Sequence, residues 1–532
     1  IYHMGREEKA DLILNRQAMA SHTFVTGSTG TGKSNAVYHL LDEITKDGRT
    51  SFLVVEPAKG EYKNVFGSRA DVKVFGTNPR ETPLLRINPF AFPQNIHILE
   101  HIDRLVEIFN ACWPMYAAMP AVLKDAIERS YQKVGWDLRN SESEKGVFPT
   151  FFDLLDILPG VIEESHYSKD TQSDYVGALC TRVKSLTNGI YGSVFCAEDA
   201  LSDAELFDCN VVVDLSRVGS METKSLLMGI LVMKLQEYRM CGSEMNSRLR
   251  HVTVLEEAHN LLRKTSAEQS QEGANLQGKS VEMLANAIAE MRTYGEGFII
   301  ADQAPGLLDM SVIRNTNTKI ILRLPDEEDR KLVGKSAALK EAQIDELSKL
   351  PLGVAAVYQN EWPEAVLCKI EAYPMPENAV YHKPSKMPHE INAEFVFGQL
   401  AAGKELEPLS ISEMEQLKLW LKRHEMMLKP EDGRYLEQVF AGGELDVAKT
   451  RKAVFDFFGG ISTVVDYCAA AEKSFTPRKE FLEQLQGQYG LKAAAADWVL
   501  NSVISMGMSL NPDAKAVDNL RTNFEQQGGR VL

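Results

Sequence analysis

No stretch of this 532-residue sequence approaches the roughly 18 consecutive apolar residues of a membrane-spanning helix, so no such helix and no membrane partner are expected. The seven cysteines (112, 180, 196, 209, 241, 368 and 468) include no Cys-x-x-Cys pair, which argues against a disulfide framework or a zinc ribbon and suits a reducing cytoplasm. Positive charge is in deficit: 58 Lys and Arg against 74 Asp and Glu leave a net −16. That excludes a surface coated for nucleic acid, so any DNA contact has to be local, in a groove or pore. Internal repeats and low-complexity tracts are missing too, and Ile1 opens the sequence with no leader-like segment after it, so the chain reads as the ordered part of a longer protein. What remains is an ordinary globular composition, 44% hydrophobic and 25% charged, in a chain too long for one domain of about 100 to 200 residues.

The organisation follows from the apolar runs. His22-Thr23-Phe24-Val25, a Gly-rich turn, a helical stretch Asn35 to Thr45 and Phe52-Leu53-Val54-Val55 make a strand-turn-helix-strand unit. Further short runs stand at Val72 to Phe75, Val211 to Leu215, Val252 to Leu255, Phe298 to Ala301, Lys319 to Leu324 and Val354 to Tyr358. Their unbroken apolar character predicts strands buried on both faces of a mostly parallel sheet, hence an α/β fold. The expected division is a first part of the core over 1–94, a helical insertion over 95–205, a second part over 206–389 and a C-terminal helical region over 390–532. Ser412 and Glu415, in capping-box spacing ahead of Leu417, Trp420 and Leu421, predict a helix start in the last of these.

Gly27-Ser28-Thr29-Gly30-Thr31-Gly32-Lys33-Ser34 fits G-x-x-x-x-G-K-[ST] in full, between a strand and a helix. In that context the glycines let backbone N–H groups face phosphate oxygens, and the helix that carries Asn35 adds its positive N-terminus. Lys33 then reaches the β and γ phosphates of ATP, and Ser34 binds Mg²⁺. Val252-Thr253-Val254-Leu255-Glu256-Glu257 is an apolar strand ending in paired carboxylates, the form of a Walker B element. It divides two roles: Glu256 toward the metal and Glu257 toward the attacking water. Gln303, after the strand that ends at Asp302, is a candidate γ-phosphate sensor or a loop residue capping backbone. An arginine inside an apolar strand needs a carboxylate or phosphate, so Arg323 in Ile320-Ile321-Leu322-Arg323-Leu324 is expected to have one. Arg292 and Arg323 are each candidates for a finger reaching a neighbour's ATP, or for a structural salt bridge.

These segments together resemble the HerA family of hexameric ATPases, within the HerA and FtsK group of P-loop motors. The resemblance rests on Gly27 to Ser34, Glu256-Glu257-Ala258-His259-Asn260-Leu261, Ala289 to Gly295, Ile300-Ala301-Asp302-Gln303-Ala304-Pro305 and Thr318 to Leu324, with Glu56 to Tyr62 and Ile87-Asn88-Pro89-Phe90 in support. It implies RecA-like domains in a hexamer, ATP at the subunit interfaces and duplex DNA threaded through the ring. By position it carries Lys33, Ser34, Glu256 and Glu257 to nucleotide and metal roles, Gln303 to γ-phosphate sensing and Arg292 to the trans finger. Tyr2-His3-Met4-Gly5-Arg6 resembles the exit of the N-terminal barrel on which family members dock nucleases. The divergent insertion and long C-terminal region look more like the bacterial anti-phage defence members, which work beside a nuclease or a Sir2-like effector. Two rivals stand beside this reading: a nucleotide-dependent ring scaffold that activates an effector, and a secretion or conjugation coupling ATPase.

Other signals carry less. His97-Ile98-Leu99-Glu100-His101 matches the H-x-x-E-H zinc pattern but also supplies an ordinary amphipathic helix. The Met-rich stretch Trp113 to Pro120 reads as core or interface. Arg263, Lys264 and Lys279 flank a polar segment that in motor rings can face the channel, with Arg182 and Lys184 as a weaker pair.

Overall fold

The computed structural model describes residues 1–3, 6–7, 10–116, 118–143, 146–197, 200–242, 244–265, 276–375, 380–383, 429–440, 446–473, 476–489, 493–511 and 513–529. They fall in two compact units, Ile1–Lys383 and Pro384–Leu532. The first is built on a nine-stranded sheet, whose strands in chain order are β1 (Thr23–Thr26), β2 (Ser51–Glu56), β3 (Val72–Gly76), β4 (Asn210–Asp214), β5 (His251–Glu256), β6 (Glu296–Asp302), β7 (Thr318–Ile321), β8 (Val354–Gln359) and β9 (Val366–Lys369). Their spatial order is β9-β8-β7-β1-β6-β5-β2-β4-β3. All pairs from β7 to β3 are parallel, and β8 and β9 add an antiparallel edge. This is the mostly parallel α/β sheet of RecA-like P-loop proteins.

The apolar runs are continuous because each strand feeds two cores. Phe24, Leu53, Val55, Val213, Leu255, Phe298 and Ile300 face one side, where they meet helices α2 (Ile98–Cys112), α3 (Met119–Lys133), α4 (Met221–Gly242) and α5 (Leu276–Glu290). Val25, Phe52, Val54, Val212, Val254 and Ile299 face the other, against Val37, Leu41 and Ile44 of helix α1 (Lys33–Thr45). Helix α4 is buried almost all round, from Leu226 to Leu235, since it lies between the sheet and the helices that intervene between β3 and β4. Each such side chain contributes on the order of 1.5–3 kcal/mol by leaving water.

Two sequence expectations change. The run Lys319 to Leu324 is strand only to Ile321; Arg323 lies beyond it and is exposed, between buried Leu322 and Leu324. The expected charge partner is therefore not needed: the guanidinium stays in water, and no ion pair to Arg323 occurs among the described residues. Strand β9 is short and half-buried at the sheet edge, so it gave too weak a pattern to stand out. The H-x-x-E-H pair serves as cap and core. His97 Nδ1 accepts the Leu99 N–H as the α2 N-cap, and buried His101 places Nδ1 2.9 Å from Glu237 Oε2. In the Met-rich stretch Trp113 and Met119 are buried.

The second unit has six helices among its described residues, Pro430–Phe440, Val447–Phe457, Gly460–Lys473, Pro477–Tyr489, Ala493–Leu510 and Ala514–Gln526, around Leu436, Val454, Phe457, Tyr467, Leu500, Ile504 and Phe524. Ser412 and Glu415 lie outside the described residues. Among the described residues no single helix is long and apolar enough to cross a membrane.

Candidate nucleotide site

The parallel strands all end at one edge, and register places their last residues in a row. Asp302 pairs with Thr26, Ala301 with Glu256, and Glu56 with Asp214. Immediately past β1 the chain curls through Gly30 (φ 76°) and Gly32 (φ 107°), left-handed positions that side chains resist, and enters α1. A Cβ at Gly30 would meet nothing within 4 Å, so the loop's outer face is open. Lys33 Nζ crosses the loop to donate to the Gly27 carbonyl at 2.8 Å, and Thr31 Oγ1 donates to the Ser28 carbonyl at 2.7 Å. Arg323 contributes backbone rather than charge: its carbonyl accepts both the Ser28 N–H and hydroxyl. Gln303, exposed, accepts a 2.8 Å hydrogen bond from Thr29 Oγ1, so the candidate sensor touches the P-loop directly.

The Walker B carboxylates differ from each other. Glu256 is buried and accepts a short hydrogen bond from the Tyr62 hydroxyl. Burial, with the adjacent Glu257 charge, lifts its carboxyl to about 7 against the Tyr62 bond that lowers it. Glu257 is half-buried with a left-handed backbone (φ 45°, ψ 51°), a conformation that costs a non-glycine residue about 1 kcal/mol or more. Burial and the Asp302 charge push its carboxyl up as well. Burial holds the Lys33 ammonium below its ordinary range, only partly opposed by Glu256 and Glu257.

Several residues here escaped the sequence reading. Glu56 ends β2 as Glu256 ends β5; its two oxygens accept the Glu61 and Tyr62 N–H groups, and burial lifts it to about 8. Asp214 ends β4 and pairs with Lys63 at 2.6 Å. His259 lies 2.9 Å from Asp302 and 3.5 Å from Glu257. The common signal was a carboxylate closing an apolar run, visible at Glu56 and Asp214 but not distinguishable there from a solvated strand end.

Not every candidate converges on this edge. Asn35 turns its side chain away from the loop, donating to the Glu371 carbonyl and accepting the Tyr373 N–H, both at 2.7 Å. Arg292 precedes β6, whose seven residues span roughly 20 Å, so it stands at the opposite edge of the sheet from Gln303. There it lines a cleft of about 530 Å³ with Arg314, Asn315, Asn317 and Asn360. Arg263, Lys264 and Lys279 are exposed around residues outside the description, and Arg182 is 3.3 Å from Glu222.

The residues present fit a magnesium-bound nucleoside triphosphate. An open loop with left-handed glycines, a lysine and a helix N-terminus receive phosphate, while Ser34 and an acidic row carrying excess negative charge receive the cation. On a RecA-like sheet, this site defines an ATP-hydrolysing P-loop enzyme.

Comparison with known proteins points the same way. Residues 3–234 match the family model described as the helicase HerA central domain. A probable helicase of Methanocaldococcus jannaschii is 23% identical over 390 residues, 68% of each chain. The DNA double-strand break repair helicase HerA of Sulfolobus acidocaldarius is 25% identical over 366 residues, 67% of this chain and 66% of that one. The chain thus spans about two thirds of the length of these relatives. Among solved structures, VirB4 of Thermoanaerobacter pseudethanolicus superposes with a TM-score of 0.51 at 19% identity, over 66% of this chain and 90% of that one. The bacterial conjugative coupling protein TrwBdeltaN70 does so with 0.51 at 15%, over 71% and 92%. The chain is thus similar to HerA helicases over about two thirds of its length, and the two solved structures share its fold.

Proposed function

We propose that this chain is an ATP- and Mg²⁺-dependent motor of the HerA type that works as a ring, a hexamer by family resemblance, on duplex DNA. The observation that carries the reading is the split of the candidate residues between two edges of one sheet. Lys33, Ser34, Glu256, Glu257 and Gln303 share one edge, while Arg292 stands exposed at the other, too far to serve its own subunit's nucleotide. A ring that sets Arg292 of one subunit against the next subunit's phosphates completes the site, and hydrolysis then depends on assembly.

Lys33 exchanges the Gly27 carbonyl for the β and γ phosphates. Ser34 and Glu256 would hold the metal, for which the Glu256 carboxylate would have to part from the Tyr62 hydroxyl and be ionised. Mg²⁺ held there would supply neutralisation of the charge that develops on the phosphate oxygens. Glu257 orients water for attack on the γ-phosphorus and takes its proton as the bond to the β-phosphate oxygen breaks, releasing ADP. Gln303 and Thr29 sit beside the γ-phosphate position and read its loss.

A nuclease or Sir2-like effector as partner, and a cytoplasmic role in anti-phage defence or DNA end processing, rest on the resemblance of the insertion and the C-terminal region to defence-associated members. The test is steady-state ATPase with and without duplex DNA, alongside mass in solution. DNA stimulation of a hexamer-sized particle supports the motor. A hexamer whose hydrolysis ignores DNA but needs an effector would replace it with a ring scaffold.

A further inference from the structure

His259 has no part in the hydrolysis set out above, yet both its backbone and its ring are held. It lies in the helical turn Ala258–Asn260, three residues beyond Glu256. Its N–H donates to Asp302 Oδ2 at 2.9 Å, and its ring Nδ1 lies 2.9 Å from the same oxygen. Asp302 is itself held on both oxygens: it is fully buried, and its other oxygen accepts the Ala304 N–H at 2.9 Å. From this clamp Nδ1 also reaches Glu257 Oε2, at 3.5 Å. That oxygen is buried and makes no hydrogen bond among the described residues, and the left-handed backbone of Glu257 releases its side chain from the directions that a strand or helix would impose. Among the described residues, the ion-pair contact on the Glu257 carboxylate is this half-buried imidazole, held from behind.

We infer that His259 is a positioning residue for Glu257: with Nδ1 locked on Asp302, the ring edge 3.5 Å from Glu257 Oε2 sets, by contact and charge, the direction in which the Glu257 carboxylate faces the attacking water. The inference rests on Glu257 being the base in the proposed reaction. It also ties two halves of the site together, because Gln303, next to Asp302, is bonded to Thr29 of the P-loop. A path of contacts and one peptide link runs from Thr29 through Gln303, Asp302 and His259 to Glu257. Phosphate capture by Lys33 and the P-loop backbone does not use His259.

The experiment uses the full chain, with ATP turnover, binding of a fluorescent ATP analogue and melting temperature measured together. His259→Ala is expected to lower kcat roughly 10- to 100-fold, the scale of a misplaced catalytic group, with analogue affinity within about twofold. His259→Asn, whose amide nitrogen stands where Nδ1 does, restores most of the rate; His259→Gln, which reaches the Nε2 position, does not. In a Glu257→Gln background His259→Ala adds no further loss, because the group it positions is gone. A His259→Ala rate within about twofold of the parent, or an equal loss in the Glu257→Gln background, overturns the inference. Should His259→Ala melt below the assay temperature, the Asn and Gln variants decide, and equal rates for the two refute it. Normal turnover by Glu257→Gln sinks the assigned base itself, whereas normal turnover by His259→Ala beside an inactive Glu257→Gln sinks only the role of His259.

Discussion

Opposite edges of the same sheet bury carboxylates and treat them in opposite ways. At the entry edge, Glu296 opens β6 completely buried. It accepts from Arg239 Nε at 3.0 Å and Thr253 Oγ1 at 2.8 Å, and His251 Nδ1 lies 2.7 Å away. Burial pushes its carboxyl up, but His251 and Arg239 outweigh burial and hold it below the usual range. At the exit edge, Glu56 and Glu256 are just as buried but face further acids, and both are lifted, to about 8 and about 7. The first cluster is electrically closed and supports the fold. The second is left short of positive charge, which is what a site built to receive a divalent cation and phosphates requires. A buried carboxylate is thus a strut or a functional group according to who faces it.

The largest effects should come from breaking the exit edge. Lys33→Ala is expected to abolish ATP turnover, and Glu257→Gln to bind nucleotide but cut hydrolysis by about 10³-fold or more, read by steady-state ATPase beside a binding titration. Breaking the entry edge should act on stability instead. Glu296→Gln leaves Arg239 only the exposed Asp208 as counter-charge and should cost on the order of 2–4 kcal/mol in denaturant unfolding, while per-molecule turnover of the folded fraction persists. A pH series sharpens the contrast. Glu256 binds a proton more tightly folded than unfolded, so its contribution to stability is present at about pH 5 and is lost as pH rises through about 7. In chelator, the parent's melting temperature should fall over that window and Glu256→Gln should flatten the fall, a difference of about 1–3 kcal/mol at pH 8. The smallest effect is expected of Arg323→Ala. Its contact with the P-loop is through its carbonyl, so ATPase should change by less than about threefold unless the guanidinium serves a neighbouring subunit.

Much of this edge was legible in the chain. The P-loop and the Glu256-Glu257 pair are local patterns bound to a strand-turn-helix or a strand end, and local patterns survive in one dimension. Gln303 was legible as a strand-end amide, but its partner Thr29 lies 274 positions away and appears only when β1 and β6 pair. Tyr62 and Glu256 meet for the same reason, through β2 and β5 lying side by side. Arg323 was misread because a run of apolar residues marks burial on alternating sides, not the point where the hydrogen-bond ladder stops. The H-x-x-E-H spacing shows the same limit: helical periodicity brings such residues near, but here one histidine caps the helix and the other is buried against Glu237.

The sequence alone determined the class of this protein, because a phosphate-binding turn needs glycines, a lysine and a hydroxyl in fixed succession and the apolar runs must be covered on both faces. The tertiary structure alone decided which charges oppose which. Glu56, Glu256 and Glu296 are the same residue type in equivalent apolar surroundings; strand order gives Glu296 a cation and two hydrogen-bond donors and gives the other two more negative charge. Since the energy of a buried carboxylate is set by neighbours a few ångströms away in space rather than in sequence, that distinction had to await the fold.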